Sequence, residues 1–154
     1  DVDADTADAV VTNWEAIKAA ERQGKSPDAS ALADIAYALP ALLRAQKLQK
    51  RASRAGFDWD NVEDAIAKLE EEVVELREAT SAADKAEEAG DLLFAAVNVC
   101  RLAGVDAETA LKAANLKFER RFRAMETIAG DPFEQLDLDA KEGLWQQVKA
   151  AERD

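Results

Sequence analysis

Two acidic pairs stand at helical spacing in the middle of the chain. Glu72 and Glu75 lie three residues apart beside Glu70 and Glu71, and Glu88 and Asp91 repeat the same step further on. On a helix, residues three apart are neighbours, so each pair presents two carboxylates side by side. Two such helices packed together make an oxygen-rich pocket for a divalent cation, because crowded, half-buried carboxylates are costly unless something positive compensates them. The chain contains no histidine, which removes the usual general base and the commonest transition-metal ligand. A metal here must be held mainly by oxygen, which favours Mg²⁺, with Mn²⁺ as the alternative, over Zn²⁺. The same pattern also arises on solvated helix faces, since 32 of the 154 residues are Asp or Glu. That explanation suits Asp91 and Asn98 poorly, for they stripe the most apolar helical stretch, Leu92-Leu-Phe-Ala-Ala-Val.

The basic residues gather elsewhere. Lys112, Lys117, Arg120, Arg121 and Arg123 share one segment, with Lys117 and Arg121 four apart on one face. Such a group suits triphosphate oxygens, although spacing alone favours pairing with Glu119, Glu126 and other acidic neighbours. Trp145 and Lys149 form a further aromatic–cation pair at the same spacing, suited to base stacking or to an ordinary place in the core.

The elements that must position these groups are helices. Alanine, leucine, glutamate and lysine dominate, and aromatics make up 6%, a composition that predicts an all-α fold. Apolar residues at Val62, Ile66, Leu69, Val73 and Leu76 mark a packing seam on one helix, which Asp60 or Asn61 would cap. The next helix, from about Asp84 to Ala103, is apolar nearly all round and so should be central. Gly104 ends it. Asp106 would cap a long helix to Ala129, stopped by Gly130-Asp-Pro, and a last helix should run from about Leu138 to Arg153. Upstream, a helix from Ala9 to Arg22 carries Val10, Trp14 and Ile17. A short helical stretch after Ser30 should meet Pro40, which opens a helix through Leu42, Leu43 and Leu48 to a stop at Gly56. Short connections imply antiparallel neighbours, hence a helical bundle. Residues 1–30 read as a lead-in helix and linker, and residues 31–154 as the catalytic domain.

Charge and composition narrow the function. At −12 the surface repels nucleic acid and anionic membrane. Cys100 is the sole cysteine, which reads as a buried thiol in a reducing cytoplasm. No apolar run approaches the length of a membrane span, and the acidic start is unlike a signal peptide. Asp1 in place of an initiator methionine points to a processed or excised segment.

Taken in order, the segments resemble the MazG family. Glu71-Glu-Val-Val-Glu75 and Glu88-Ala-Gly-Asp91 fit its EExxE…ExxD motif. Leu39 to Lys50, Gly56-Phe-Asp-Trp59, Gly90 to Asn98, Asn115 to Arg123 and Leu144-Trp-Gln-Gln-Val-Lys149 look like stretches of the same family. The chain resembles the C-terminal domain of a two-domain member, with Asn13 to Lys18 similar to the connector that leads into it. The resemblance implies an all-α pyrophosphohydrolase that dimerises, with helices of both subunits shaping the sites, and that cleaves an NTP or dNTP to its monophosphate and pyrophosphate. It further implies Glu72, Glu75, Glu88 and Asp91 as Mg²⁺ ligands, and Lys117, Arg121, Trp145 and Lys149, with Asn98, as nucleotide-binding or catalytic residues. Without histidine, Glu71 or Glu72 would take the proton from water. Two other readings stand beside this one. One is a relative narrower in substrate, acting on dUTP, dCTP or phosphoribosyl-ATP. The other is a non-catalytic helical dimerisation module.

Overall fold

Pro40 sets the first boundary of the fold: its fixed φ opens helix α1, Ala41–Arg54, without the loss of a needed amide. The structure, a computed structural model, describes residues 29–152. After α1 come α2 (Val62–Glu78), α3 (Ala82–Leu102), α4 (Ala107–Ala129), a 3₁₀ turn at Phe133–Gln135 and α5 (Leu138–Ala151). No strand occurs among the described residues, so the all-α expectation holds. None of the helices described is long and apolar enough to cross a membrane. The expected helix from Ala9 to Arg22 lies outside the described residues.

Local chemistry accounts for the boundaries. Asn61, rather than Asp60, caps α2, its side chain accepting from the Asp64 amide at 3.0 Å. Ser81 and Asp84 form a reciprocal capping box that starts α3 at Ala82, ahead of the expected Asp84. Asp106 accepts from the Thr109 amide at 2.8 Å and Asp137 from the Ala140 amide at 2.8 Å, opening α4 and α5. Each cap satisfies a donor that the helix start leaves unpaired. Gly56 at φ 84° and Gly130 at φ 68° turn the chain in the left-handed region that glycine enters without strain.

The stretch after Ser30 is not helical. It forms turns, with the Leu32 amide donating to Ser30 Oγ at 3.1 Å and Asp34 at φ 63°. A serine side chain competing for backbone donors and a left-handed residue prevent a helix from propagating there.

α2 and α3, joined by residues 79–81, form the most extensively packed pair, and α4 packs on α5. α1 bridges the two, resting on α3 and α4. Gln49 Nε2 donates to the Phe94 carbonyl at 2.8 Å, and the Ala107 amide donates to Gln46 Oε1 at 3.0 Å. Two glutamines of α1 thus tie down α3 and the start of α4. Between α4 and α5 runs an aromatic row: Phe118 with Phe122 (5.9 Å between ring centres), Phe118 with Trp145 (5.7 Å) and Phe122 with Phe133 (5.3 Å).

α3 touches α1, α2 and α4, the central place expected of it, yet its apolar circumference is not covered on every side. Val97 is buried, but Leu93 is 57% and Phe94 46% exposed, because α2, α1 and α4 cover only part of its circumference. Cys100, expected buried, is half-buried for the same reason. Apolar side chains are exposed on α4 as well, where Leu116 is 65% exposed.

Candidate metal centre and substrate cavity

The α2–α3 pair sets the acidic residues facing one another. Glu72 and Glu75 project from α2 and Glu88 from α3, and one carboxylate oxygen from each lies within 4.8 Å of the others. Glu72 is only 6% exposed, and its Oε2 is buried without a hydrogen-bond partner. Partial burial raises the Glu75 carboxyl above the ordinary 4.5, helped by Glu72 and Glu71 and opposed by Lys68. Glu88 is also raised, first by burial and then by the charges of Asp91 and Glu72. Both shifts come first from partial burial of the carboxyls and only then from the negative charge gathered beside them. Asp91 stands outside the group of three, one turn beyond Glu88 and exposed.

An all-oxygen donor set of three converging carboxylates, one with an orphaned buried oxygen, fits a hard divalent cation. The compensation that the chain itself offers is Lys68. Its Nζ lies 2.8 Å from Glu72 Oε1, 3.1 Å from Glu71 Oε2 and 3.9 Å from Glu75 Oε2. Those hydrogen bonds, from Glu72 first and then Glu71, raise the lysine's pKa well above its ordinary 10.5. Glu71 itself faces solvent, its side chain 58% exposed.

Beside the carboxylates opens a cavity of about 460 Å³ between α1, the connector 57–59, α2 and α3, a size suited to a small-molecule ligand. Leu48, Ala52, Trp59, Phe94 and Ala95 supply its apolar walls, and Glu72 and Asp91 line it towards the acidic side. Gln49, 6% exposed, keeps a side-chain oxygen without a partner at this wall. Asn98 also lines the cavity, its Oδ1 accepting from Arg101 Nε at 2.9 Å.

Arg101 grips Asp58 with two nitrogens, Nη1 to Oδ2 at 3.1 Å and Nη2 to Oδ1, which fixes the connector carrying Trp59 against α3. This hydrogen bonding, aided by the Arg101 charge and opposed by partial burial, holds the Asp58 carboxyl below the ordinary 3.8. A group depressed on folding contributes stability above its unfolded value and loses it as pH falls through the folded one. Asp58→Asn should therefore lower Tm at neutral pH by the equivalent of at most about 1 kcal/mol, and the gap to the wild type should close below pH 3.8. Thermal melts across that range check this, and a gap that persists in acid would mean the contribution is not electrostatic.

The cationic residues sit on the other helix pair. Arg121 is held by Glu152 at 2.7 Å, which Arg120 shares at 2.9 Å, and its guanidinium lies 5.5 Å from the Trp145 ring centre. The arginine hydrogen bonds hold Glu152 below its ordinary value. Lys149 is half-buried on the same helix as Trp145, and Lys117 is exposed with no ion pair among the described residues. None of Lys117, Arg121, Trp145 and Lys149 lines the cavity. Within one chain, then, Glu72, Glu75 and Glu88 converge, Asp91 and Asn98 adjoin them at the cavity, and the cationic group stands on α4 and α5.

Sequence reasoning passed over Lys68, Gln49 and the Asp58–Arg101 pair. Lys68 was readable, standing three and four residues before Glu71 and Glu72, the spacing of helical ion pairs. Gln49 and Arg101 act across long separations that leave no local signal.

Comparison with known proteins bears on the same segment. Residues 60–125 match the family described as the MazG nucleotide pyrophosphohydrolase domain. The whole chain aligns at 48% identity with the nucleoside triphosphate pyrophosphohydrolase of Escherichia coli (strain K12), over 61% of that protein. Ninety per cent of it aligns at 39% identity with the nucleoside triphosphate pyrophosphohydrolase/pyrophosphatase MazG of Thermotoga maritima, over 55% of that protein. The chain thus spans roughly three-fifths of the length of these curated relatives. With its converging glutamates, Asp91 and Lys117 all inside the matched segment, the chain carries a domain of the MazG family.

Proposed function

We propose that the chain hydrolyses nucleoside triphosphates, ribo and deoxy, to the nucleoside monophosphate and pyrophosphate. The observation that carries this reading is the convergence of Glu72, Glu75 and Glu88, with the orphaned Glu72 oxygen, at the edge of a ligand-sized cavity. Its kinship supports it: the E. coli relative is named for this activity. Residues 31–154 are the catalytic unit and 1–30 its lead-in.

Glu72, Glu75 and Glu88, joined by Asp91, would hold Mg²⁺ or, in its place, Mn²⁺. The ion supplies neutralisation of the charge carried by the triphosphate oxygens. The remaining work falls to the chain. Trp59 and Phe94 offer flat apolar surfaces to the base, and Gln49 offers an acceptor to its N–H groups. Glu72 is committed to the cation, so the solvent-facing Glu71 is the base that takes the proton of the attacking water. Lys117 and Arg121 steady the phosphate oxygens of the leaving pyrophosphate, and Trp145, Lys149 and Asn98 complete the nucleotide's surroundings.

The cationic group reaches the cavity from a second copy of the chain. The uncovered apolar side chains of α3 and α4, with Leu93 and Leu116, supply the surface on which two copies form a helical bundle. The acidic exterior keeps nucleic acid and membranes away, and the working compartment is the cytoplasm.

A panel of every NTP and dNTP, together with phosphoribosyl-ATP, tests the substrate range. Turnover of several bases in both sugar forms is expected, because the cavity wall is mostly apolar and base-tolerant. Turnover of dUTP, dCTP or phosphoribosyl-ATP alone would replace this reading with the narrower one.

A further inference from the structure

Lys68 sits where a cation would be most useful to the carboxylates and yet belongs to neither the expected ligands nor the expected phosphate-binding group. Its ammonium touches Glu72 and Glu71 at hydrogen-bond distance and reaches Glu75 at 3.9 Å. Glu72 and Glu75 both belong to the converging trio. The lysine engages Glu72 Oε1, while Oε2 of the same carboxylate is the one left buried and unpartnered. The trio is therefore half compensated: one face of Glu72 is neutralised from within α2, and the other is left open.

We propose that Lys68 is the built-in counter-ion of the metal centre proposed above, a positioning residue that keeps the carboxylates together before the ion binds and weakens the ion's binding once it arrives. The physical reasons act in sequence. Three carboxylates with oxygens within 4.8 Å repel one another, and a lysine four residues before Glu72 on the same helix relieves that repulsion without any ligand. A divalent ion entering the trio then meets a positive charge one carboxylate away and draws on oxygens that the ammonium already shares. The repulsion between the two cations, set against the modest gain of preformed geometry, costs the ion affinity. Lys68 makes the centre one that loads and releases its metal readily, rather than one that retains it.

The test compares the wild type with Lys68→Met, Lys68→Gln and Lys68→Arg. Mn²⁺ binding is read by electron paramagnetic resonance of the free ion, and Tm is measured in EDTA and in excess Mn²⁺. Lys68→Met and Lys68→Gln should bind Mn²⁺ about tenfold more tightly than the wild type. They should melt lower in EDTA and gain more on adding Mn²⁺, while Lys68→Arg keeps the wild-type affinity. A merely structural lysine would lower Tm with and without metal and tighten nothing. Equal or weaker Mn²⁺ binding by both neutral variants, beside a wild type that binds, would overturn the assignment of Lys68 alone. A wild type that binds no Mn²⁺ would overturn the metal centre and this proposal with it.

Discussion

Glu72→Gln should reduce NTP turnover by on the order of a thousandfold while leaving a folded protein. The substitution keeps the size of the side chain and removes one negative charge from the most buried member of the trio. Without metal, that change removes repulsion against Glu75 and Glu88, whose carboxyls are already raised by burial and by neighbouring charge. The same change removes the partner of Lys68, but the lysine keeps Glu71 at 3.1 Å. The melting temperature in EDTA should therefore stay close to the wild-type value, while the rise produced by Mn²⁺ disappears. Activity assays beside thermal melts separate the outcomes. A folded Glu72→Gln protein with wild-type turnover would remove Glu72 from the site. Asp91→Asn should likewise abolish turnover of a folded protein, its place outside the trio notwithstanding, because it lines the cavity and faces Glu88.

Mixing two inactive variants should restore activity. Lys117 is exposed, unpaired among the described residues and away from the cavity walls, so Lys117→Ala should fold normally and lose catalysis only through the nucleotide. If each site takes its carboxylates from one copy and its cations from the other, a Glu72→Gln/Lys117→Ala mixed dimer contains one intact site and one doubly defective site. Random re-association at equal amounts should then recover about a quarter of the wild-type activity. No recovery, with exchange of subunits demonstrated by differently tagged chains, would place Lys117 and the carboxylates of one copy in the same site.

Much of the helical frame was legible because it is written in local chemistry. Asn61 and Asp106 cap helices through bonds to amides three residues on, and Gly56 and Gly130 mark turns by their backbone freedom; the caps at Ser81 and Asp137 use the same chemistry but were not read from it. The pairing of Glu72 and Glu75 with Glu88 was legible in part, since the spacing places acids on a face and the short 79–81 connection folds α3 back along α2. Apolar periodicity was the weaker guide on α3. It reports that Leu93 and Phe94 avoid water, but not whether the cover comes from the same chain, and within the chain they stay exposed. The turn after Ser30 was missed because a serine side chain and a left-handed Asp34 outweighed helix-forming alanines and leucines. Ties such as Gln49 to Phe94, Asp58 to Arg101 and Arg121 to Glu152 join residues far apart in the chain, and only the folded arrangement reveals them.

The most direct measurement is the identity of the products. The purified chain is incubated with a single NTP, in Mg²⁺ or in EDTA, and the mixture is resolved by anion-exchange chromatography. Nucleoside monophosphate and pyrophosphate in equal amounts, formed only with Mg²⁺, is the expected result. Diphosphate with inorganic phosphate, or monophosphate formed equally well in EDTA, would contradict the assignment of the Glu72–Glu75–Glu88 centre to this reaction.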